Sequence, residues 1–168
     1  MGAVQFNLFG PPTITILYVE DEPDDAMLVT LAFQRVGPEV NVAWVPNAEE
    51  AIAYLEGAGK YAGREDFPKP RALLLDLHLP GLSGCGFLEW LSRSEHAGLP
   101  VIVLSSGVDS RQHESALARG ACLSLSKPCS FDELTIIARS VLEHCLMPLP
   151  IAEPIRAAAA AFHAPPPG

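Results

Sequence analysis

A chain of 168 residues with 49% apolar and 18% charged side chains can bury one sizeable core but falls short of two large domains. Its 11 Lys and Arg against 20 Asp and Glu leave a formal charge of -9, which disfavours a nucleic-acid partner because little counterion release would drive binding. Apolar runs such as Ala72–Leu75 are far shorter than the roughly 18 residues a membrane span needs; the start, MGAVQFNLFGPP, lacks the basic region of a secretory signal and has Phe6 where a myristoylation motif needs Ser or Thr, so a cytoplasmic protein is expected.

Residues 1–12 read as an N-terminal extension. The β-branched and aromatic segment Thr13 to Val19 predicts a buried strand that ends at the acidic run Glu20, Asp21, Glu22, Pro23, Asp24, Asp25. Pro23 suits a first helical turn, and the apolar positions Ala26, Met27, Leu31 and Phe33 carry a helix to Val36, where Gly37-Pro38 stops it. Val40 to Val45 predicts a second strand. Asn47 is placed to cap a helix with Ala48, Ile52 and Leu55 at helical spacing. The polar stretch from Gly57 to Pro70, with three glycines and two prolines, predicts a long surface connection without an element of its own.

Ala72 to Leu75 has the continuous apolar character of a central parallel strand, and it ends at Asp76. A helix over Cys85 to Leu91 follows, then a strand over Val101 to Leu104 ending at Ser105-Ser106. Asp109 or Ser110 caps a short polar helix reaching Arg119. Ala121 to Leu125 predicts the fifth strand and leads to Lys127-Pro128. The last helix starts at Phe131 and sets Leu134, Ala138, Val141 and Cys145 on one face. Five β-α units in strict alternation imply an α/β fold, a parallel sheet with right-handed crossovers and helices on both faces. The domain is expected over residues 13–147. Residues 148–168 hold 6 of the 16 prolines and an Ala157 to Ala161 run, and read as a disordered tail. Cys85, Cys122, Cys129 and Cys145 show no metal or disulfide spacing and read as small buried thiols.

In open α/β sheets ligands bind beyond the carboxyl ends of the strands, so the residues just after each apolar run carry the chemistry. These are Glu20 and Asp21, Asp76, Ser105 and Lys127. Carboxylates gathered there repel one another unless a cation neutralises them, and a hard ion such as Mg2+ takes one or two carboxylates plus phosphate oxygens. The added lysine suits a transferable phosphoryl group, whose oxygens it would neutralise while the Asp76 carboxylate attacks in line.

The strings ILYVEDEPDD, LLLDLHLPGLSG, PVIVLSS and SKP, kept in order and spacing between Ile14 and Met147, resemble the four signatures of the bacterial response-regulator receiver domain. The ED-x-P-x-D start and the long loop before Asp76 are similar to the stand-alone subgroup that includes small phytochrome-partner regulators. This resemblance implies a flavodoxin-like (βα)5 fold with strand order 2-1-3-4-5. It makes Asp76 the phosphoacceptor, and Glu20 and Asp21 the acidic pair that holds Mg2+ together with Asp76 and the backbone carbonyl of His78. Lys127 would contact the phosphoryl group, with a cis bond to Pro128. Ser105 would be the switch hydroxyl and Ser106 the neighbour that offers a backbone amide. Gly84 would permit the tight loop before the third helix. Two positions depart from the pattern: Ser124 stands where an aromatic residue commonly turns inward, and His78 faces the mouth of the site.

The implied partners are a histidine kinase or phosphotransfer protein upstream and an unknown protein downstream, with a homodimer through the fourth and fifth helices and fifth strand. With no effector expected after residue 147, output would be by protein contact or onward phosphotransfer, not by a turnover enzyme. Two other functions compete. A haloacid-dehalogenase-type phosphatase would need a second aspartate where His78 stands, and a scaffolding pseudo-receiver would usually lack the acceptor or the acids. Several residues keep an ordinary reading: Glu22, Asp24 and Asp25 as a solvated helix N-terminus, His96, His113 and His144 as surface histidines, and Trp44 and Trp90 as core or interface residues. The glycines from Gly81 to Gly86 lack the order of a dinucleotide loop.

Overall fold

In the computed structural model, residues 14–107 and 109–146 are described. The N-terminal extension, the tail with its expected disorder, and the side chains of His144 and Cys145 lie outside the described residues. Five strands, β1 (Ile14–Val19), β2 (Val40–Val45), β3 (Ala72–Leu75), β4 (Val101–Ser105) and β5 (Leu123–Ser126), form one parallel sheet in the order β2-β1-β3-β4-β5. Between them run α1 (Pro23–Val36), α2 (Ala48–Glu56), α3 (Gly84–Arg93), α4 (Ser110–Ala118) and, after β5, α5 (Phe131–Leu146). The expected alternation and strand order are both present. None of the helices described is long and apolar enough to cross a membrane.

The two-residue pleat of the strands divides the core between the two faces. Ile16, Tyr18, Ala72, Leu74, Ile102 and Leu104 pack with α1 and α5. Leu17, Val19, Leu73, Leu75, Val101 and Val103 pack with α2, α3 and α4. Both strand faces are therefore buried, which is why the central strands read as unbroken apolar runs. The same parity sets the direction of the first polar residue beyond each strand.

Helix starts follow their caps. Asn47 accepts from the Glu50 N–H, Ser83 from Gly86 and Asp109 from Arg111, while α1 begins with Pro23 in place of a side-chain cap. Some boundaries move: β4 extends to Ser105 because Ser105 pairs with Ser126, and β5 starts at Leu123, opposite Ile102. In α1 the buried face is Ala26, Val29, Ala32 and Phe33, whereas Met27 and Leu31, expected inside, are 56% and 45% exposed. Burial in a first-layer helix favours the stripe with small residues that let it approach the sheet, and Ala26 and Ala32 provide it. The cysteines also differ from expectation, since Cys85 and Cys122 are half-buried and Cys129 is exposed. Cys85 lies in the first turn of α3, Cys122 just before β5 and Cys129 in the loop before α5, and none of these places turns the thiol fully inward.

The stretch from Gly57 to Pro70 is structured, contrary to the expected plain surface connection. It contains a short 3-10 turn (Gly59–Tyr61), and Tyr54 of α2 packs against Tyr61 in a tilted pair and against Phe67 edge-on, at centroid distances of 5.1 and 6.0 Å. Arg64 donates to the Tyr54 and Leu55 carbonyls and so closes the C-terminus of α2. Two aromatic residues and one arginine anchor a segment whose composition otherwise reads as loop.

Burial pushes the Tyr54 phenol up to about 12 from its ordinary value near 10. The stabilising effect of the neutral phenol is complete below pH 10 and is lost as pH rises from about 10 through 12, because the unfolded chain releases its proton first. Alkaline unfolding followed by tyrosinate absorbance should show this decline, and Tyr54→Phe should flatten it. An unchanged slope would contradict the assignment.

Candidate functional site

Strand parity brings three side chains to the α1 and α5 side of the sheet. Glu20 continues the line of Ile16 and Tyr18, Asp76 that of Ala72 and Leu74, and Lys127 that of Leu123 and Leu125. Lys127 is the hub: its Nζ lies 2.7 Å from Glu20 Oε2, 2.8 Å from Asp76 Oδ2 and 2.6 Å from Asp25 Oδ2. Glu20 is fully buried and Asp76 nearly so.

Asp25 joins the site, which corrects its reading as a solvated end of α1. The cause is the actual rotation of α1: Asp25 stands one turn before Val29, on the stripe that faces the sheet, while Glu22 and Asp24 point to solvent as expected.

Each carboxylate has a defined set of donors. Asp76 Oδ1 accepts from the His78 backbone N–H at 2.9 Å and from the Ser105 hydroxyl at 3.2 Å. Glu20 accepts from the Tyr18 phenol at 2.7 Å and from the Glu22 N–H at 3.2 Å, and its carbonyl accepts from the Trp44 indole at 2.7 Å. Trp44 is 43% exposed, so it is an edge residue that pins the acidic loop and not a core residue. Trp90 is half-buried against Phe87, and His96 sits half-buried beside it.

Burial raises the Glu20 carboxyl above its ordinary range, an effect that the bonds from Lys127 and Tyr18 only partly oppose. Burial acts in the same direction on Asp76, but there the His78 N–H and the Lys127 ammonium prevail and hold the carboxyl low. For Lys127, burial would lower the pKa, yet Asp25, Asp76 and Glu20 together lift it well above the usual lysine range. The proton thus resides on Lys127. The Tyr18 phenol, raised by burial and by Glu20, remains a donor.

With Asp21, half-buried, four carboxylates face one ammonium, an excess of three negative charges. Glu20, Asp21 and Asp76 each offer an oxygen, all within 4.8 Å of one another. An all-oxygen set with surplus negative charge fits a hard divalent cation such as Mg2+.

Ser105 comes from the other strand parity and reaches Asp76 from the α3 and α4 side, where His78 Nδ1 lies 3.0 Å from its Oγ and 3.6 Å from Asp76 Oδ1. Ser106 follows it at the surface. Gly84 is needed for close approach, since a Cβ there would lie 2.6 Å from the Asp76 carbonyl oxygen and 2.7 Å from Leu77 Cα. Its φ is not positive, so conformational freedom plays no part.

Two further expectations are corrected. None of the described peptide bonds is cis, so the Lys127–Pro128 bond is trans. Trans is the intrinsically favoured form even before proline, and Lys127 reaches all three carboxylates with it. His113 is not a plain surface histidine, because its Nδ1 lies 2.6 Å from the hydroxyl of Ser124, the residue that stands in place of the expected aromatic, and the contact joins α4 to β5. The odd-even pleat of β5 turns Ser124 toward α4, a placement that sequence spacing alone did not tie to His113.

A family model described as the response regulator receiver domain matches residues 16–139. The chain is 33% identical to the "probable methanogenesis regulatory protein FilR2" of Methanothrix harundinacea over 78% of this chain and 83% of that protein. It is 32% identical to the "probable transcriptional regulatory protein TcrX" of Mycobacterium tuberculosis over 77% of this chain, and it spans only half of TcrX. Among solved structures, the response regulator RPA3017 "in red light signaling of R. palustris" is similar with a TM-score of 0.72 and 29% identity, over 78% of this chain and 92% of that one. The phosphorylated cyanobacterial phytochrome response regulator RcpA gives 0.72 and 26%, over 81% and 96%.

Proposed function

This chain belongs to the response-regulator receiver family of two-component systems, and on that premise we propose that Asp76 accepts a phosphoryl group from a phosphohistidine on a histidine kinase or phosphotransfer protein. The observation that carries this reading is the convergence on one nearly buried aspartate of Lys127, Ser105 and the His78 N–H, all within 3.2 Å.

In the proposed step an Asp76 carboxylate oxygen attacks phosphorus in line. A P–O bond forms, the P–N bond to the donor imidazole breaks, and that imidazole takes up a proton. Lys127 exchanges its bonds to Asp76 Oδ2 and Glu20 Oε2 for phosphoryl oxygens, where its ammonium offsets the added charge. The His78 N–H, fixed by the backbone, keeps the acceptor oriented. Glu20, Asp21, Asp76 and the His78 carbonyl would hold Mg2+, whose charge would neutralise phosphoryl oxygens when bound.

Ser105 then hydrogen-bonds the phosphoryl group, with the Ser106 amide beside it, and leaves its partner His78. The shift reaches β5 and α4 through Ser126 and through the Ser124–His113 bond, which takes the place of an aromatic toggle. Output is by altered protein contact or onward phosphotransfer in the cytoplasm, and the module accepts a phosphoryl group without being a turnover enzyme. Leu117 on α4 and Ile136 on α5, both exposed, supply apolar contacts for a homodimer across α4, β5 and α5.

Incubation with acetyl phosphate and Mg2+ should add one phosphoryl group to the chain by mass spectrometry, and Asp76→Asn should abolish the adduct. No adduct on the native chain would overturn the reading and leave a scaffolding pseudo-receiver. Multiple turnover of small phosphate esters would favour a phosphatase instead.

A further inference from the structure

Tyr18 has no part in the phosphotransfer scheme, yet it places a phenol inside the charged cluster. It precedes Glu20 by two residues on the line of β1, so the pleat sends both side chains to the same side of the sheet. Its ring is buried in the core beneath α1 and α5, and its O–H donates to Glu20 Oε2 at 2.7 Å.

The other polar atoms of Glu20 are fixed as well. Its N–H donates to the Val45 carbonyl at 3.1 Å, its own carbonyl accepts from the Trp44 indole, and Oε1 accepts from the Glu22 N–H. Lys127 shares Oε2 with Tyr18. In the phosphotransfer reading Lys127 moves to the phosphoryl group, so its bond to Glu20 is given up along with that to Asp76 Oδ2. A glutamate has one more rotatable bond than an aspartate, and its carboxylate keeps a defined direction only if another donor holds it.

We propose that Tyr18 is a positioning residue for the divalent cation: its phenol anchors Glu20 Oε2 and so keeps the carboxylate aimed at Asp21 and Asp76, both while Lys127 shares that oxygen and after it has moved. This inference rests on the phosphotransfer reading for the movement of Lys127. Partners that orient a ligating carboxylate change metal affinity by about 10- to 100-fold when removed.

The test is a titration with Mn2+, read from the EPR signal of the free ion, on four proteins: the native chain, Tyr18→Phe, Glu20→Asp, and the double variant. Phenylalanine keeps the ring that fills the core, and thermal melts in chelator report folding separately. Tyr18→Phe should weaken Mn2+ binding about tenfold. In the Glu20→Asp background, whose carboxylate is drawn back from the phenol, the same change should have almost no effect. Equal losses in both backgrounds, or no loss in either, would overturn the inference.

A measurement on the native chain covers a variant that fails to fold: the Tyr18 phenolic proton should give a slowly exchanging NMR signal that persists when Mg2+ is added. Its disappearance with Mg2+ would overturn the anchoring role. If the native chain binds no Mn2+ and takes no phosphoryl group, the phosphotransfer reading falls and this inference with it. If it does both while Tyr18→Phe is indistinguishable from native, only the role of Tyr18 falls.

Discussion

Lys127→Met is expected to lose about 3–5 kcal/mol of stability in the absence of divalent cations, the range found when one partner of a buried ion pair is removed. The ammonium touches Glu20, Asp25 and Asp76 within 2.8 Å, and its side chain is 18% exposed. Methionine fills much of the same volume, so the loss is electrostatic: Glu20 and Asp76 keep their burial and lose their cation.

Two dependences separate this cause from a packing defect. The first is pH. Without the ammonium the cluster takes up protons, so carboxyl pKa values in the folded variant rise above those of the unfolded chain. Stability is then greatest below the ordinary carboxylate range and is lost as pH rises through the raised values. The deficit relative to the native chain should therefore shrink toward pH 4 and be full at pH 7. The second is Mg2+, which binds only the folded site: at a hundred times the variant's dissociation constant it should stabilise the variant by about 2.7 kcal/mol, and at the same concentration it should stabilise the native chain, whose ammonium competes for the carboxylates, by less. Urea unfolding in chelator and in Mg2+, at both pH values, reads all of this. A deficit independent of pH and of Mg2+ would assign the effect to packing.

Much of this site was legible because it is written at strand ends. An apolar run that stops at a polar residue identifies both the strand and the group delivered to its carboxyl edge, and that rule found Glu20, Asp21, Asp76, Ser105 and Lys127 without coordinates. Asp25 was missed because its place depends on helix rotation. An acid in the first turn of a helix ordinarily reads as solvated, and only the burial of Val29, Ala32 and Phe33 shows that Asp25 shares the inner stripe of α1. A helix packed on a sheet favours small residues at the closest approach, and Ala26 and Ala32 take that place while Met27 and Leu31 stay exposed. Tyr18 lies in a segment whose sequence reads only as buried strand, and the folded structure makes its hydroxyl part of the site by turning it to the same side as Glu20. The pairing of His113 with Ser124 required the register of α4 on β5, which no local pattern encodes. The anchoring of Gly57 to Pro70 likewise depends on where Tyr61, Arg64 and Phe67 fold back on α2, a tertiary contact hidden beneath a loop-like composition.

Gly84→Ala should destabilise the protein by about 1–3 kcal/mol or more, the usual cost of overpacking, although helix propensity alone predicts the opposite sign. Gly84 is the first residue of α3, and alanine is favoured over glycine in helix interiors by about 1 kcal/mol. The added methyl, however, would meet the Asp76 carbonyl oxygen at 2.6 Å and Leu77 Cα at 2.7 Å. Both are backbone atoms on the segment that carries the acceptor, so relief must come from moving α3 or Asp76 itself. A displaced Asp76 also loses alignment with Lys127 and the His78 N–H, and reacting groups out of place by about 1 Å cost about a hundredfold in rate. Phosphorylation by acetyl phosphate should therefore slow in Gly84→Ala even where the protein remains folded. Gly86→Ala is the matched control. It lies in the same helix, but its methyl would meet only the end of the flexible Leu82 side chain at 2.7 Å and Ser83 Oγ at 3.4 Å. That variant should be neutral or slightly stabilised and phosphorylated at the native rate. Equal stability and equal rates in the two variants would show that α3 can slide away from the strand end without cost, and that the close contact at Gly84 does not hold Asp76 in place.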